Sequence, residues 1–314
     1  MSSVGILFPG QGSQTVGMGA DLFESRPDLL GDRADQILGF SLRTLCLEGP
    51  EEELTRTEHA QPALFALSHA LWDMVASEHD VRPDGAAGHS LGEYTALTAA
   101  GVFEYEAALG LVALRGKAMA RAADADDSGM AALLGADRQA AEEVCRARRE
   151  EGGNLWVANL NAPGQMVVAG GGEDLAWLVE HASELGFRRV IPLNVAGAFH
   201  SPFMAPARAE LATALEAMQI SEPGFLVWSN TTARPHRSGE LEELLARQLV
   251  EPVLFSDSLQ DMSAASVDTF IHVGPGDVTA GLARRSVEGA EVHTISGVAD
   301  IRPVLDAVGT MGRH

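Results

Sequence analysis

Apolar positions along this chain recur at two spacings, and their succession predicts an α/β fold. Residues 4–8 form a short apolar run stopped by Pro9-Gly10, which reads as a buried strand feeding the glycine-rich loop Pro9-Gly10-Gln11-Gly12-Ser13-Gln14. Residues 22–40 follow as a helical region. In residues 60–77, Leu64, Leu67, Leu71 and Val75 repeat at intervals of three and four and mark one face of a second helix. Residues 82–89 lead into Ser90, residues 91–100 read as a helix stopped by Gly101, and residues 105–122 as a longer one.

The rhythm changes between about 128 and 195. Strands are expected at 130–134, 155–160, 165–169 and 189–195, with helices at 138–149 and 173–185 and a turn at Asn161-Ala162-Pro163-Gly164. That order, β-α-β-β-α-β, is the ferredoxin-like unit. The expected organisation is therefore a small ferredoxin-like domain, 128–195, inserted into a large α/β-hydrolase-like domain with a parallel sheet, made of residues 1–127 and 196–314. Beyond the insertion, helices are expected at 206–218, 241–249 and 278–285, and strands at 225–228 and 269–273.

Composition narrows the function classes. The 314 residues carry 44 Asp+Glu against 22 Lys+Arg, a formal charge of −22, and Lys117 is the single lysine. So acidic a chain is a poor match for a nucleic-acid backbone or for anionic lipid, both of which need concentrated positive charge. An anionic partner would have to meet a local arginine cluster. Hydrophobic content of 46% is enough for a buried core and argues against disorder. No apolar run reaches the length of a membrane span, and the N-terminus lacks a basic region followed by a long apolar stretch. The two cysteines, Cys46 and Cys145, have no metal-ligand spacing and read as small buried residues. The expectation is a soluble cytoplasmic protein.

Gly88-His89-Ser90-Leu91-Gly92 fits G-x-S-x-G, the turn that lifts a serine hydroxyl between a strand and a helix. About 0.2 such matches arise by chance in a chain of this glycine and serine content, so the pentapeptide alone also fits an ordinary glycine-rich turn. Its setting, a strand before and a helix after, favours the elbow, where backbone N–H groups and the helix dipole suit an oxyanion. A serine nucleophile needs a base. His200, in Ala198-Phe199-His200-Ser201-Pro202 at a helix edge, is the candidate, and a capping or core histidine is the alternative. No acidic residue is evidently placed to complete a triad, so a dyad oriented by a carbonyl is expected. Arg115 emerges among Leu111, Val112, Ala118 and Met119, and such an arginine needs a carboxylate, either from the core or from a ligand.

Three separated motifs, Gly10-Gln11-Gly12-Ser13-Gln14, Gly88-His89-Ser90-Leu91-Gly92-Glu93 and Ala198-Phe199-His200-Ser201, together resemble the malonyl-CoA:acyl carrier protein transacylases of fatty acid and polyketide synthesis. The likeness extends to Arg115-Gly116, the stretch from Asn159 to Gln165, Ser229-Asn230-Thr231, Arg247-Gln248-Leu249 and Gly274-Pro275-Gly276. It implies ping-pong transfer that requires no metal or redox cofactor: Ser90, deprotonated by His200, takes the acyl group of malonyl-CoA and passes it to the phosphopantetheine thiol of an acyl carrier protein. It also implies an oxyanion hole from the N–H groups of Gln11 and Leu91, and orientation of His200 by the main-chain carbonyl of Gln248. Arg115 would grip the malonyl carboxylate, with Phe199, Gln248 and Asn159 also at the substrate site. Phe199 resembles the malonyl-selective pattern, whereas Gly197 departs from the residue expected there and would leave room for a larger unit. Arg188-Arg189 and Arg284-Arg285 are the candidate patches for an acidic carrier. A thioester hydrolase acting on carrier proteins is the rival reading, since Ser90 and His200 would serve either reaction. A non-catalytic carrier-binding subunit is the second.

Overall fold

The computed structural model describes residues 3–78, 83–237 and 239–311. Its strands, in chain order, are β1 (Val4–Phe8), β2 (Gly85–Gly88), β3 (Ser128–Leu134), β4 (Leu155–Ala162), β5 (Gln165–Gly171), β6 (Arg189–Pro192), β7 (Leu226–Trp228), β8 (Thr269–Val273) and β9 (Glu291–Ile295). They form two sheets. The larger is parallel, in the order β7-β2-β1-β8-β9, and the smaller is antiparallel, in the order β4-β5-β3-β6.

A central parallel strand is covered on both faces, and β1 accordingly has a continuous apolar sequence. Ile6 and Phe8 point into one core, against residues of the helices Thr57–Glu78, Leu91–Ala99 and Tyr105–Ala123. Leu7 points into the other, against residues of Phe255–Ala264 and Val278–Ser286. The result is a large α/β layer structure with the C-terminal ends of β1 and β2 side by side, where ligand crevices of open parallel sheets form.

The smaller sheet follows the expected ferredoxin-like order. Ala131, Leu133, Met166 and Val168 pack against the helices Arg138–Glu150 and Gly172–Glu180 in a core of their own. The alternate residues Met130, Ala132, Val167 and Ala169 join the main core instead. Period-two alternation thus gives this sheet one private face and one shared face. Main-chain bonds reinforce the attachment: Leu160 N–H donates to the Val253 carbonyl (2.9 Å), and Val253 N–H to the Ala158 carbonyl (2.8 Å).

Local departures from the sequence reading have identifiable causes. The helical region expected at 22–40 is three short helices, Ala20–Ser25, Pro27–Leu30 and Asp32–Leu38. Pro27 starts a new first turn, and Gly31 leaves helical conformation at φ −92°, ψ −149°. The helix expected at 173–185 ends at Glu180, and the strand expected at 189–195 ends at Pro192, whose missing N–H cannot extend a ladder. The start of the approach to Ser90 expected at residue 82 lies outside the described residues. β9 and the helices Leu42–Glu48, Phe255–Ala264 and Val298–Met311 were not anticipated.

Candidate active site

Ser90 sits between β2 and the helix Leu91–Ala99 with φ 52° and ψ −103°. A β-carbon residue at positive φ is strained, and here the glycines around it make the turn feasible. A side chain at Gly88 would collide with the backbone of Gly92, and one at Gly92 with the carbonyl of Phe8. Asn230 braces the turn: its Oδ1 accepts from Ser90 N–H (2.7 Å), and its Nδ2 donates to the Gly88 carbonyl (2.7 Å). As the first residue of its helix, Leu91 has an N–H with no intrahelical acceptor.

His200 lies 110 residues further on, also at positive φ (58°) and nearly fully buried. Ser90 Oγ stands 2.8 Å from His200 Nε2, and His200 Nδ1 donates to the main-chain carbonyl of Gln248 at 2.7 Å. That second bond fixes the tautomer in which Nε2 carries the lone pair facing Ser90. Ser90 Oγ, the His200 ring and the Gln248 carbonyl are thus joined in one hydrogen-bonded chain. Burial, and then the positive charge of Arg115, push the His200 pKa down to about 3 against a weaker opposing effect of the Gln248 carbonyl. The imidazole is therefore neutral and able to accept a proton across the neutral pH range.

Arg115, on the helix Tyr105–Ala123, is completely buried. Its NH1 donates to Gln61 Oε1 (2.5 Å), and its NH2 donates to Gln248 Oε1 (2.8 Å) and to Ser90 Oγ (3.1 Å). Its carbon Cζ stands 5.2 Å from the centroid of the Tyr94 ring. Among the described residues no carboxylate touches it, and its Nε has no hydrogen-bond partner. Among the described residues the core ion pair left open by the sequence is not formed. Burial lowers the Arg115 pKa, with Tyr94 and Glu93 acting in the opposite direction. A buried, incompletely satisfied guanidinium on a cleft wall is suited to pairing with an anion.

These groups face a cleft of about 550 Å³ between the two sheets. Gln11, Ser90, Leu91, Arg115, Asn159, Phe199 and His200 all line it, so seven of the eight residues singled out from the sequence meet there. Gln248 does not. It lies behind Arg115, fully buried, where its Nε2 donates to the Ser90 carbonyl (2.9 Å) and to Glu93 Oε2 (2.6 Å). The expectation attached to Gly197 is also corrected. A β-carbon there would lie 2.5 Å from Ala123 Cβ and 2.9 Å from its Cα, so Ala123 fills that space and the cleft gains nothing from the glycine. Of the arginine pairs, Arg188, Arg189, Arg284 and Arg285 are all exposed, and Arg285 reaches the cleft wall.

Four residues escaped the sequence reading. Gln61, on the helix Thr57–Glu78, holds Arg115 with no local sign of that role. Asn230, Asn161 and Glu93 stood in quoted motifs without an assigned task. Asn161 accepts from His89 Nε2 at 2.7 Å and ties the smaller sheet to the elbow. Glu93, wholly buried, contacts His236 Nε2 (2.6 Å), the Asn230 N–H (3.1 Å) and Gln248. Only long-range contacts distinguish these polar residues from surface ones. Among the described residues no group of His, Cys, Asp or Glu is arranged to hold a metal ion.

Over residues 6–311 the chain matches the acyl transferase domain family. It is 43% identical over 288 residues to a malonyl CoA-acyl carrier protein transacylase of Bacillus subtilis, an alignment covering 91% of this chain and 90% of that protein. The crystal structure of an acyl carrier protein S-malonyltransferase from Vibrio cholerae superposes with a TM-score of 0.91 at 37% identity, over 98% of this chain and 100% of that one. A malonyl-transacylase solved in complex with a type II polyketide synthase acyl-carrier protein gives a TM-score of 0.93 at 34% identity, over 98% and 100%.

Proposed function

The chain belongs to the acyl transferase domain family, and from that premise we infer that it is a malonyl-CoA:acyl carrier protein transacylase. It moves a malonyl group from CoA to the phosphopantetheine thiol of an acyl carrier protein. The observation that carries the reading is the convergence on Ser90 Oγ of a base and a cation, His200 Nε2 at 2.8 Å and Arg115 NH2 at 3.1 Å.

Ser90 Oγ attacks the thioester carbonyl as its proton passes to His200 Nε2, and the developing oxyanion is held by the N–H groups of Leu91 and Gln11. Collapse breaks the C–S bond, and the proton on His200 goes to the departing CoA thiolate. The carrier's thiol then gives its proton to His200, attacks the malonyl-serine ester and leaves Ser90 restored. Arg115 takes the free carboxylate of the malonyl group bidentately. That contact also bears on the base. A carboxylate on Arg115 offsets the positive charge that, after burial, does most to depress His200, so the imidazole becomes more basic when a dicarboxylic acyl group is in place. Phe199 and Asn159 bound the acyl group from the wall of the cleft, and Gln248 orients His200 from behind.

The functional division is residues 1–127 and 196–314 as the nucleophile-bearing unit, with 128–195 closing the cleft from the other side. Arg188-Arg189 and Arg284-Arg285 are the surfaces offered to an acidic carrier, with Arg285 nearest the entrance. The working compartment is the cytoplasm, which suits two buried free thiols, Cys46 and Cys145. The test is to supply malonyl-CoA with and without holo carrier protein. Carrier-dependent appearance of malonyl-carrier with little free malonate is expected. Steady hydrolysis with no transfer would establish the hydrolase instead.

A further inference from the structure

Arg115 poses an electrostatic problem that its direct contacts do not solve. A guanidinium with no exposed surface is held by two neutral amides and a hydroxyl, and an unpaired buried charge is costly. A carboxylate bonded directly to it would remove the cost and also occupy the seat of the substrate's own carboxylate. Glu93 occupies an intermediate position. Its Oε2 accepts from Gln248 Nε2 at 2.6 Å, while Gln248 Oε1 accepts from Arg115 NH2 at 2.8 Å, so one amide separates anion from cation. The amide has a defined direction. Its nitrogen faces three acceptors, Glu93 Oε2, the Ser90 carbonyl and, more distantly, Asn230 Oδ1, and its oxygen faces Arg115. Glu93 is itself wholly buried, anchored by the Asn230 N–H and by His236 Nε2. His236 Nδ1 has no partner, which fits the Nε2–H tautomer donating to Glu93.

We propose that Glu93 is an indirect counter-ion of Arg115, a positioning residue that offsets the buried guanidinium's charge through Gln248 while leaving its N–H groups open to a substrate carboxylate. The proposal rests on the reading that Arg115 binds the malonyl carboxylate, and it adds a trade-off. Glu93 stabilises the empty site and weakens the site's hold on an anion, so release of a dicarboxylic acyl group is easier than it would be from an uncompensated arginine.

The sign of the consequence differs from that of structural damage. Glu93→Gln removes the charge but keeps an oxygen for Gln248 and for the Asn230 N–H. Malonate, used as the probe, should then bind about tenfold more tightly, the scale of one screened charge–charge interaction across a side chain. KM for malonyl-CoA should fall in the same sense while KM for acetyl-CoA holds. His236→Gln keeps both a donor to Glu93 and the carboxylate's charge, so its malonate affinity should match that of the unaltered protein within about twofold. Malonate affinity is read from the rise of the thermal midpoint with malonate concentration. If E93Q is unstable when empty, refolding it in malonate and following the midpoint across concentrations gives the same comparison. A folded E93Q that binds malonate no more tightly than the unaltered protein overturns the proposal, as does an H236Q that gains as much as E93Q. Arg115→Ala separates the two levels. If it binds malonate normally, the reading of Arg115 itself is wrong. If it loses malonate while E93Q is unchanged, only the role given to Glu93 falls.

Discussion

Replacing Arg115 by alanine tests the acyl-group assignment at its most sensitive point. The guanidinium is buried, faces the cleft and stands 3.1 Å from the attacking oxygen. Two charge-assisted hydrogen bonds to a carboxylate in such a site contribute about 1.5–3 kcal/mol each, and geometric cost leaves a net of about 3–4 kcal/mol. At about 1.4 kcal/mol per decade, kcat/KM for malonyl-CoA should fall roughly 10²- to 10³-fold. Acetyl-CoA has no carboxylate to lose. Its transfer should hold or rise, because the cation that helps to depress His200 to about 3 is gone. The assay is the acylation rate of Ser90 from each donor, with the ratio of the two kcat/KM values as the readout. A parallel fall in both would mean that Arg115 merely supports the fold of the site, and unchanged malonyl preference would refute the assignment.

Further predictions concern stability, selectivity and docking. The rings of His69, Phe65 and Tyr105 lie nearly parallel in one cluster, with His69 Nδ1 buried and unpartnered, and burial lowers the His69 pKa to about 4. The unfolded chain binds a proton there near pH 6.5 and the folded one does not until about pH 4, so stability falls as the pH drops through that window, by about 2 kcal/mol at pH 5. His69→Phe should remove the share of that slope due to His69 and leave the share due to His200, and a stability difference from the unaltered protein that stays constant across pH 7 to 5 would refute this. Gly197→Ala should cost about 1–3 kcal/mol through overpacking against Ala123 and leave acyl-CoA preference unchanged; a variant with shifted preference would restore Gly197 as a selectivity position. Arg285→Glu should weaken carrier binding more than Arg188→Glu, with a shallower salt dependence, because only Arg285 lines the cleft. Equal losses at both positions would place docking elsewhere.

What could be read from the chain alone depended on the range of the interactions involved. β8 was legible as residues 269–273 because a short apolar run between turn residues is a local signal, and the elbow was legible because two glycines and a serine must be spaced in that way. Pro27 is a local signal for the helix break within residues 22–40, where apolar spacing alone predicts one continuous helical region. Arg115 could be identified as needing a partner, but not as bonded to Gln61 and Gln248, which lie 54 and 133 residues away. Glu93 shows the limit most clearly. It occupies a helix position next to the elbow where a surface glutamate would look identical, and only the packing of β7's following loop, with Asn230 and His236, makes it a buried charge.

The central claim, that Ser90 carries a malonyl group between CoA and a carrier thiol, is tested most directly by intact-mass measurement of the protein after mixing with malonyl-CoA. One malonyl unit should appear on Ser90, stay in the absence of acceptor and pass to added holo carrier protein, and Ser90→Ala should acquire none. A protein that never acquires the unit, or that loses it to water as fast as to the carrier, would contradict the account.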